Sequence, residues 1–317
     1  MGARFAGDSM AGKIPVGATV ARAYGFAFGN IVNNLGMIWI PVAILWAANY
    51  FLQKPYLEAT MGAAGNPQAL MAALPLISAY FVLSFVLVAA QVAALTKEAL
   101  GLRTGNAFLQ FPFGPGAWRL LAALFLYFVV MIVVYVAILL ASLLLTGLTV
   151  AVSGGRGAGA GALVALILVA AGLFVICALI YIATRLSFFL APVAVAEHKV
   201  SLIRAWQLSA KNFWRIFAVF LVLFLPFFVL ELIYLYMSLG PNFFVPPHPG
   251  MTPQEVMAHA QHQQEIIRQM TQKMQSYWYV VYPLGLAVTL ILYGLYAGAA
   301  AYAYRAVTHE DNSQEAF

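Results

Sequence analysis

Glu197-His198-Lys199-Val200-Ser201-Leu202-Ile203-Arg204-Ala205-Trp206-Gln207-Leu208-Ser209-Ala210-Lys211-Asn212-Phe213-Trp214-Arg215 is a basic, amphipathic stretch that runs straight into a long apolar segment. At helical spacing Leu202, Ala205, Trp206, Ser209 and Phe213 oppose Arg204, Lys211 and Arg215. A segment of this kind lies in the headgroup plane of a bilayer, with rings at the interface and basic tips in the phosphate layer. Weaker versions of the arrangement precede two other apolar segments. The pattern predicts an all-α integral membrane protein built from repeated units, with a cationic surface on one side.

Composition agrees with that class. The chain is 64% hydrophobic and 8% charged, against about 45–50% and about 25% in soluble domains. Six apolar runs stand out, Leu35–Leu52, Leu74–Leu95, Leu120–Thr146, Ala162–Thr184, Ile216–Leu239 and Tyr277–Ala303. Each is long enough to cross a hydrocarbon core of about 30 Å at about 1.5 Å per residue. Backbone groups in lipid must bond within their own segment, so these runs are helices. The alternation of a transmembrane barrel is absent. The whole chain, residues 1–317, reads as one six-span membrane domain, with residues 1–34 a cytoplasmic amphipathic lead-in. The first run starts too late and runs too long for a cleavable signal peptide, so the first span is expected to stay as an anchor. The single cysteine, Cys177, falls inside the fourth run as a small packing residue.

Basic residues set the predicted topology. Arg4, Lys13, Arg22, Lys97, Arg103, Arg119, Arg185, Lys199, Arg204, Lys211, Arg215 and Arg305 fall on one side, 12 of the 16 Lys and Arg residues. Lys54, Arg156, Arg268 and Lys273 fall on the other. The positive-inside rule then puts both termini in the cytoplasm. The pI near 9.4 reads as a topology signal and an attraction to anionic lipid, not as nucleic-acid binding.

An internal comparison finds the units. Ala21-Arg22-Ala23-Tyr24 and Asn30 match Ile203-Arg204-Ala205-Trp206 and Asn212 at a constant offset of 182 (204 − 22, 212 − 30). Trp118-Arg119 matches Trp214-Arg215 at an offset of 96 (214 − 118). Three sequential helix pairs follow, in the same orientation, with interfacial amphipathic helices before spans one and five. In the first lead-in Val16, Val20, Tyr24, Phe28 and Ile31 share an apolar stripe, against Thr19, Arg22, Asn30 and Asn33.

The long extracytoplasmic loop, residues 240–276, opens on prolines 241, 246, 247, 249 and 253. Thr252-Pro253-Gln254-Glu255 then gives an N-cap, a proline at N1 and a Glu at N3, the signature of a capping box. Val256, Ala260, Gln263, Ile267, Met270, Met274 and Tyr277 continue it as an amphipathic helix leading into the sixth span. This helix is expected to pack across the outer ends of the spans, or else to meet a protein partner. Glu255, His259 and His262 share one face, with His248 and Met251 nearby, a weak metal-ligand pattern that an exposed polar face explains equally.

Within the spans Glu231 is the only carboxylate, and intramembrane carboxylates mark pathways by default. Gln91, Asn49 and Ser84 are expected to bond across helices. Gly294 and Gly298 form a close-packing face. Phosphate-binding loops, nucleophile elbows, paired cytoplasmic carboxylates and Cys-His clusters are all missing, which weighs against an enzyme and leaves no cofactor to expect.

Arg185, Pro192, Glu197, Ala205-Trp206-Gln207-Leu208 and Phe213-Trp214-Arg215 together resemble a signature of bacterial polytopic membrane proteins. These are the membrane domain fused to some glycerophosphodiester phosphodiesterases and the stand-alone YciC-type relatives. The resemblance implies the six-span architecture and a bacterial inner membrane. No phosphodiesterase domain is present, so the fused members' catalysis does not carry over. The functional expectation is a non-enzymatic accessory or scaffold protein. Its basic aromatic collar of Arg22, Arg119, Arg185, Arg204, Trp206, Lys211, Trp214 and Arg215 would engage membrane lipids, above all anionic ones, or a protein partner. The alternative is a transporter or channel for a lipid-like or small apolar molecule, with a pathway near Glu231.

Overall fold

The computed structural model describes residues 12–53, 67–103, 113–153, 158–239 and 252–308 of the 317. Ten α-helices appear among them and no strand. They are α1 (Val16–Gly29), α2 (Ile31–Ala48), α3 (Pro67–Ala99), α4 (Pro115–Ser153), α5 (Ala158–Ser187), α6 (Leu190–Ala196), α7 (Leu202–Leu208), α8 (Phe213–Leu239), α9 (Pro253–Ser276) and α10 (Trp278–Thr308). Six stretches are long and apolar enough to cross a membrane: Ile31–Leu52, Met71–Ala99, Pro115–Leu144, Val169–Ala196, Phe213–Met237 and Pro283–Thr308. The chain is an all-α, multi-pass membrane protein. The prolines, glycines and histidine of residues 240–251 lie outside the described residues.

The spans pack tightly at one end and part at the other. Leu87, Ala90, Leu95, Leu120, Ala123, Ile216, Leu223, Leu295 and Ala300 are buried where the basic helix ends meet. Beyond that layer α4, α5 and α8 turn Leu143, Leu144, Phe174 and Met237 outward. A belt of exposed apolar side chains on helices of this length is what acyl chains cover.

The lead-in helix α1 differs from a helix lying in the headgroup plane. It runs antiparallel along α10 and also touches α8, while α8 and α10 meet each other only slightly. Its buried face is Thr19, Ala23 and Ala27, and Phe28 and Ile31 of the apolar stripe are exposed. Small residues explain the choice. A Cβ placed on Gly298 would lie 3.1 Å from the Ala23 Cα, and one on Gly294 would lie 3.3 Å from the Ala27 Cα. The expected close-packing pair on the sixth span is thus real, and its partner is α1. The chain then turns at Asn30, and the Asn34 amide donates to the Phe26 carbonyl at 3.1 Å across the break.

The fourth span also continues further than the apolar run suggested. After a two-residue turn, α6 enters the centre of the packed end against α3, α4 and α10, with Phe188, Phe189, Leu190, Val193 and Ala194 almost wholly inaccessible. Residues 188–195, which lie beyond the fourth apolar run, are the middle of the packed core.

Helix α9 starts at the expected capping box. Thr252 Oγ1 accepts from the Glu255 amide at 3.3 Å, and the Glu255 carboxylate accepts from the Thr252 amide at 2.7 Å. Among the described residues its main contacts are light ones with α8 and α10. His259, Gln263, Ile266 and Met270 are half-buried, whereas Val256 is exposed. Of the expected stripe, Gln263 and Met270 are thus half-buried and Val256 and Ala260 exposed, and the helix flanks the ends of α8 and α10.

Candidate functional site: the basic end of the bundle

The buried helix α6 fixes two residues as it ends. Glu197 caps it, its amide bonding the Val193 carbonyl, and His198 follows with φ of 56°. That left-handed backbone is costly for a residue with a Cβ and persists only where the surroundings impose it. The turn throws the chain back into α7, where Ser201 N-caps by accepting from the Arg204 amide at 3.1 Å.

Arg185, at the end of α5, ties α7 down. Its guanidinium donates to Ser209 Oγ at 3.2 Å, to the Tyr181 hydroxyl at 2.9 Å and to the Trp206 carbonyl at 2.8 Å. The same group lies flat over the Trp206 ring, 3.7 Å from its centroid, and Tyr181 meets that ring edge-on. Arg185 is 8% exposed. Of the collar residues, Arg185 and Trp206 are brought together, but as an internal clasp whose charge faces protein. Nearby, the Asn212 side chain accepts from the Ile14 amide at 3.3 Å and donates to the Gly12 carbonyl at 3.0 Å, pinning the N-terminal lead-in.

Glu197 makes a second clasp. Both its oxygens accept from Arg204 Nε, at 2.9 and 3.2 Å, and Oε1 also accepts from the Tyr304 hydroxyl at 3.2 Å. Arg204 is thereby largely neutralised. The collar's outward charges are Arg22, exposed and 5.9 Å from the Tyr302 ring centre, Lys211, exposed, and the half-buried Arg215. Trp214 projects beside them, 76% exposed. The ion pairs at this end among the described residues are Arg103–Glu98 and Arg204–Glu197.

Arg119 stands apart from that group, on the first turn of α4. Its Nη1 lies 3.0 Å from His198 Nδ1. A guanidinium has only donors, so Nδ1 accepts and the ring proton sits on Nε2. Both residues line a groove of about 680 Å³ between α2, the end of α3, the start of α4 and the end of α6. Lys97 and Arg103 complete its basic part, and Met37, Ala93 and Ala94 form an apolar wall. Lys97, Arg103 and His198 were not singled out as site residues by sequence reasoning. Their spacing carried no motif, and only the fold gathers them around Arg119.

Glu231 lies on an exposed face of α8 and lines none of the three cavities considered at this end or between the spans. A second cavity, between α4 and α5, is wholly apolar, bounded by Phe128, Met131, Tyr135 and Ile180. Glu255, His259 and His262 do not converge on a metal site among the described residues. The Glu255 carboxylate is taken up by the capping box, and His259 Nε2 pairs with the Gln263 amide at 3.2 Å. Among the described residues, Ser84 and both ends of the Gln91 amide lack the cross-helix bonds expected of them.

Comparison of the chain with family models, curated proteins and solved structures finds no match in any of the three. The likeness to the YciC-type proteins therefore rests on the Arg185–Arg215 residues alone.

Proposed function

We propose that this is a non-enzymatic protein of the bacterial inner membrane, with both termini cytoplasmic, acting as an accessory or scaffold that engages anionic lipid through its basic end. The observation that carries the reading is the pairing of outward-facing Arg22, Lys211 and Arg215 with the exposed Trp214 ring. Among the described residues, the acids at this end, Glu98 and Glu197, are already engaged. Each exposed cation near an anionic surface contributes about 1 kcal/mol of attraction, and an interfacial tryptophan holds the depth. Native mass spectrometry in mixed phosphatidylglycerol and phosphatidylcholine tests it. Neutralising Arg22, Lys211 and Arg215 to Gln lowers the excess of retained anionic over zwitterionic lipid several-fold. An unchanged excess rejects the reading. Topology is checked separately in a Cys177→Ala background. Cysteine probes at Lys211 and Gln263 label from opposite sides of the membrane, and labelling from one side overturns the orientation.

A further inference from the structure

We propose that the groove at the start of α4 is a discrete site for the phosphate group of an anionic amphiphile, with the apolar part of the ligand against Met37, Ala93 and Ala94. This rests on the anionic-lipid reading above and assigns it a place of defined stoichiometry. A volume of about 680 Å³ is in the range of small-ligand pockets and too small for a macromolecular partner.

Three independent features converge there. The first is charge. Lys97, Arg103 and Arg119 line the groove, and the one acid beside them among the described residues, Glu98, is shared. One of its oxygens accepts from Asn33 Nδ2 at 2.7 Å, and the other lies 3.6 Å from Arg103 Nη1, beyond hydrogen-bond reach. The second is a guanidinium nitrogen of Arg103 that has an ion-pair partner but no hydrogen bond. The Arg103 side chain is 9% exposed, lines the groove, and its Nη1 has no hydrogen-bond acceptor among the described residues. A buried charged donor left unsatisfied is costly, and a phosphate oxygen is the acceptor that a planar fork fits best. The third is the helix end. Gly114, Pro115, Gly116 and Ala117 line the groove, and the 39-residue helix they begin has no acid in its first turn to offset its positive end. A Cβ on Gly114 would meet nothing within 4 Å, so the backbone there is open to close approach.

The adjoining contact holds the arrangement in place. His198 accepts from Arg119 through a backbone conformation that the end of α6 imposes, so the Arg119 fork is anchored at one nitrogen and its other donors stay free to turn toward a ligand. The apolar wall distinguishes the ligand from a bare anion. A soluble phosphate uses the cations alone, whereas a phospholipid also covers Met37, Ala93 and Ala94.

The test uses the full-length protein in detergent, with native mass spectrometry and thermal unfolding as readouts. The probes are phosphatidylglycerol, phosphatidylcholine, glycerol phosphate and inorganic phosphate. The wild type is expected to retain one phosphatidylglycerol at collision energies that strip the rest. A Lys97→Gln/Arg119→Gln variant, changed only at exposed and half-buried positions, loses that one lipid by tenfold or more. A Lys211→Gln/Arg215→Gln variant keeps it while losing loosely held lipid. If glycerol phosphate or inorganic phosphate raises the wild-type midpoint, the groove variant abolishes the shift, and no lipid is retained, the anion site stands with a soluble source. Equal retention and equal shifts in wild type and groove variant overturn the site. Failure of the collar reading looks different, since the Lys211/Arg215 variant then keeps its loosely held anionic lipid.

Discussion

Replacing Arg185 by Lys separates a surface charge from an internal clasp. The guanidinium reaches three acceptors on α5 and α7 at 2.8–3.2 Å while stacking on Trp206 at 3.7 Å. A lysine keeps the charge but presents a compact, strongly hydrated ammonium that cannot span the three acceptors or lie flat on the ring. Two lost bonds from a charged donor contribute about 1.5 kcal/mol or more each, and a desolvated cation–π contact about 2 kcal/mol. Arg185→Lys should therefore lose about 5 kcal/mol. Arg185→Met loses the same contacts but also removes a buried charge whose desolvation costs several kcal/mol, so it should be no less stable than the lysine variant. Thermal unfolding in detergent, ranked at one scan rate because membrane proteins often unfold irreversibly, gives the order wild type, Met, Lys. The loss should be the same with and without phosphatidylglycerol. A collar role predicts the opposite order, with lysine near wild type and methionine shedding lipid. That outcome would refute the clasp.

At the α1–α10 contact, Gly298→Ala should cost about 1–3 kcal/mol, because the new Cβ meets the Ala23 Cα and Phe26 Cβ at 3.1 Å and packed backbones do not yield readily. Gly285→Ala, with nothing within 4 Å, is the control and should stabilise by about 0.5–1 kcal/mol; equal midpoints for the two exclude the close contact. Gln91→Leu should raise stability by about 1–3 kcal/mol, since neither end of this fully buried amide has a hydrogen-bond partner among the described residues, and a lower midpoint shows that the amide is satisfied after all. In α9, hydrogen bonds from Thr252 hold the Glu255 carboxyl below its ordinary value of 4.5. A lowered folded value means that the cap's contribution is complete above pH 4.5 and fades as pH falls through the lowered value. Intrinsic-rate-corrected hydrogen exchange in the first turn of α9 should follow that course, and Glu255→Gln should flatten it.

Much of the architecture was legible because it depends on length and punctuation. Apolar runs of span length admit only helices in lipid, and the Thr252–Glu255 box carries its own hydrogen bonds, so both held up with little reference to neighbours. Faces were harder to assign. On α1 the large side chains Val16, Val20 and Tyr24 of the expected stripe are half-buried against the core, but Phe28 is exposed and the fully buried positions are Thr19, Ala23 and Ala27. Hydrophobicity ranks side chains by size, while helix contact inside an apolar medium is governed by how closely backbones approach. The signal was present in Gly294 and Gly298, but nothing in the sequence says which helix those glycines face.

The fourth apolar run, taken to end at Thr184, left out the next apolar stretch, Leu186–Ala196, because a basic residue after an apolar run ordinarily marks the membrane surface. Here Tyr181, Trp206 and Ser209 hold the Arg185 guanidinium against protein, and after a two-residue turn the chain enters the packed core as α6. The same logic recasts the residues that carry the YciC-type likeness. Arg185, Pro192, Glu197 and Trp206 sit in or against the buried core, holding α5, α6, α7 and α10 in one arrangement. Residues spent on such clasps have few donors left for a ligand. The charges with donors to spare, Lys97, Arg103 and Arg119, lie outside that stretch and are joined only by the fold. In this protein the recognisable signature marks how the basic end is assembled, and the chemistry it offers lies in the groove beside it.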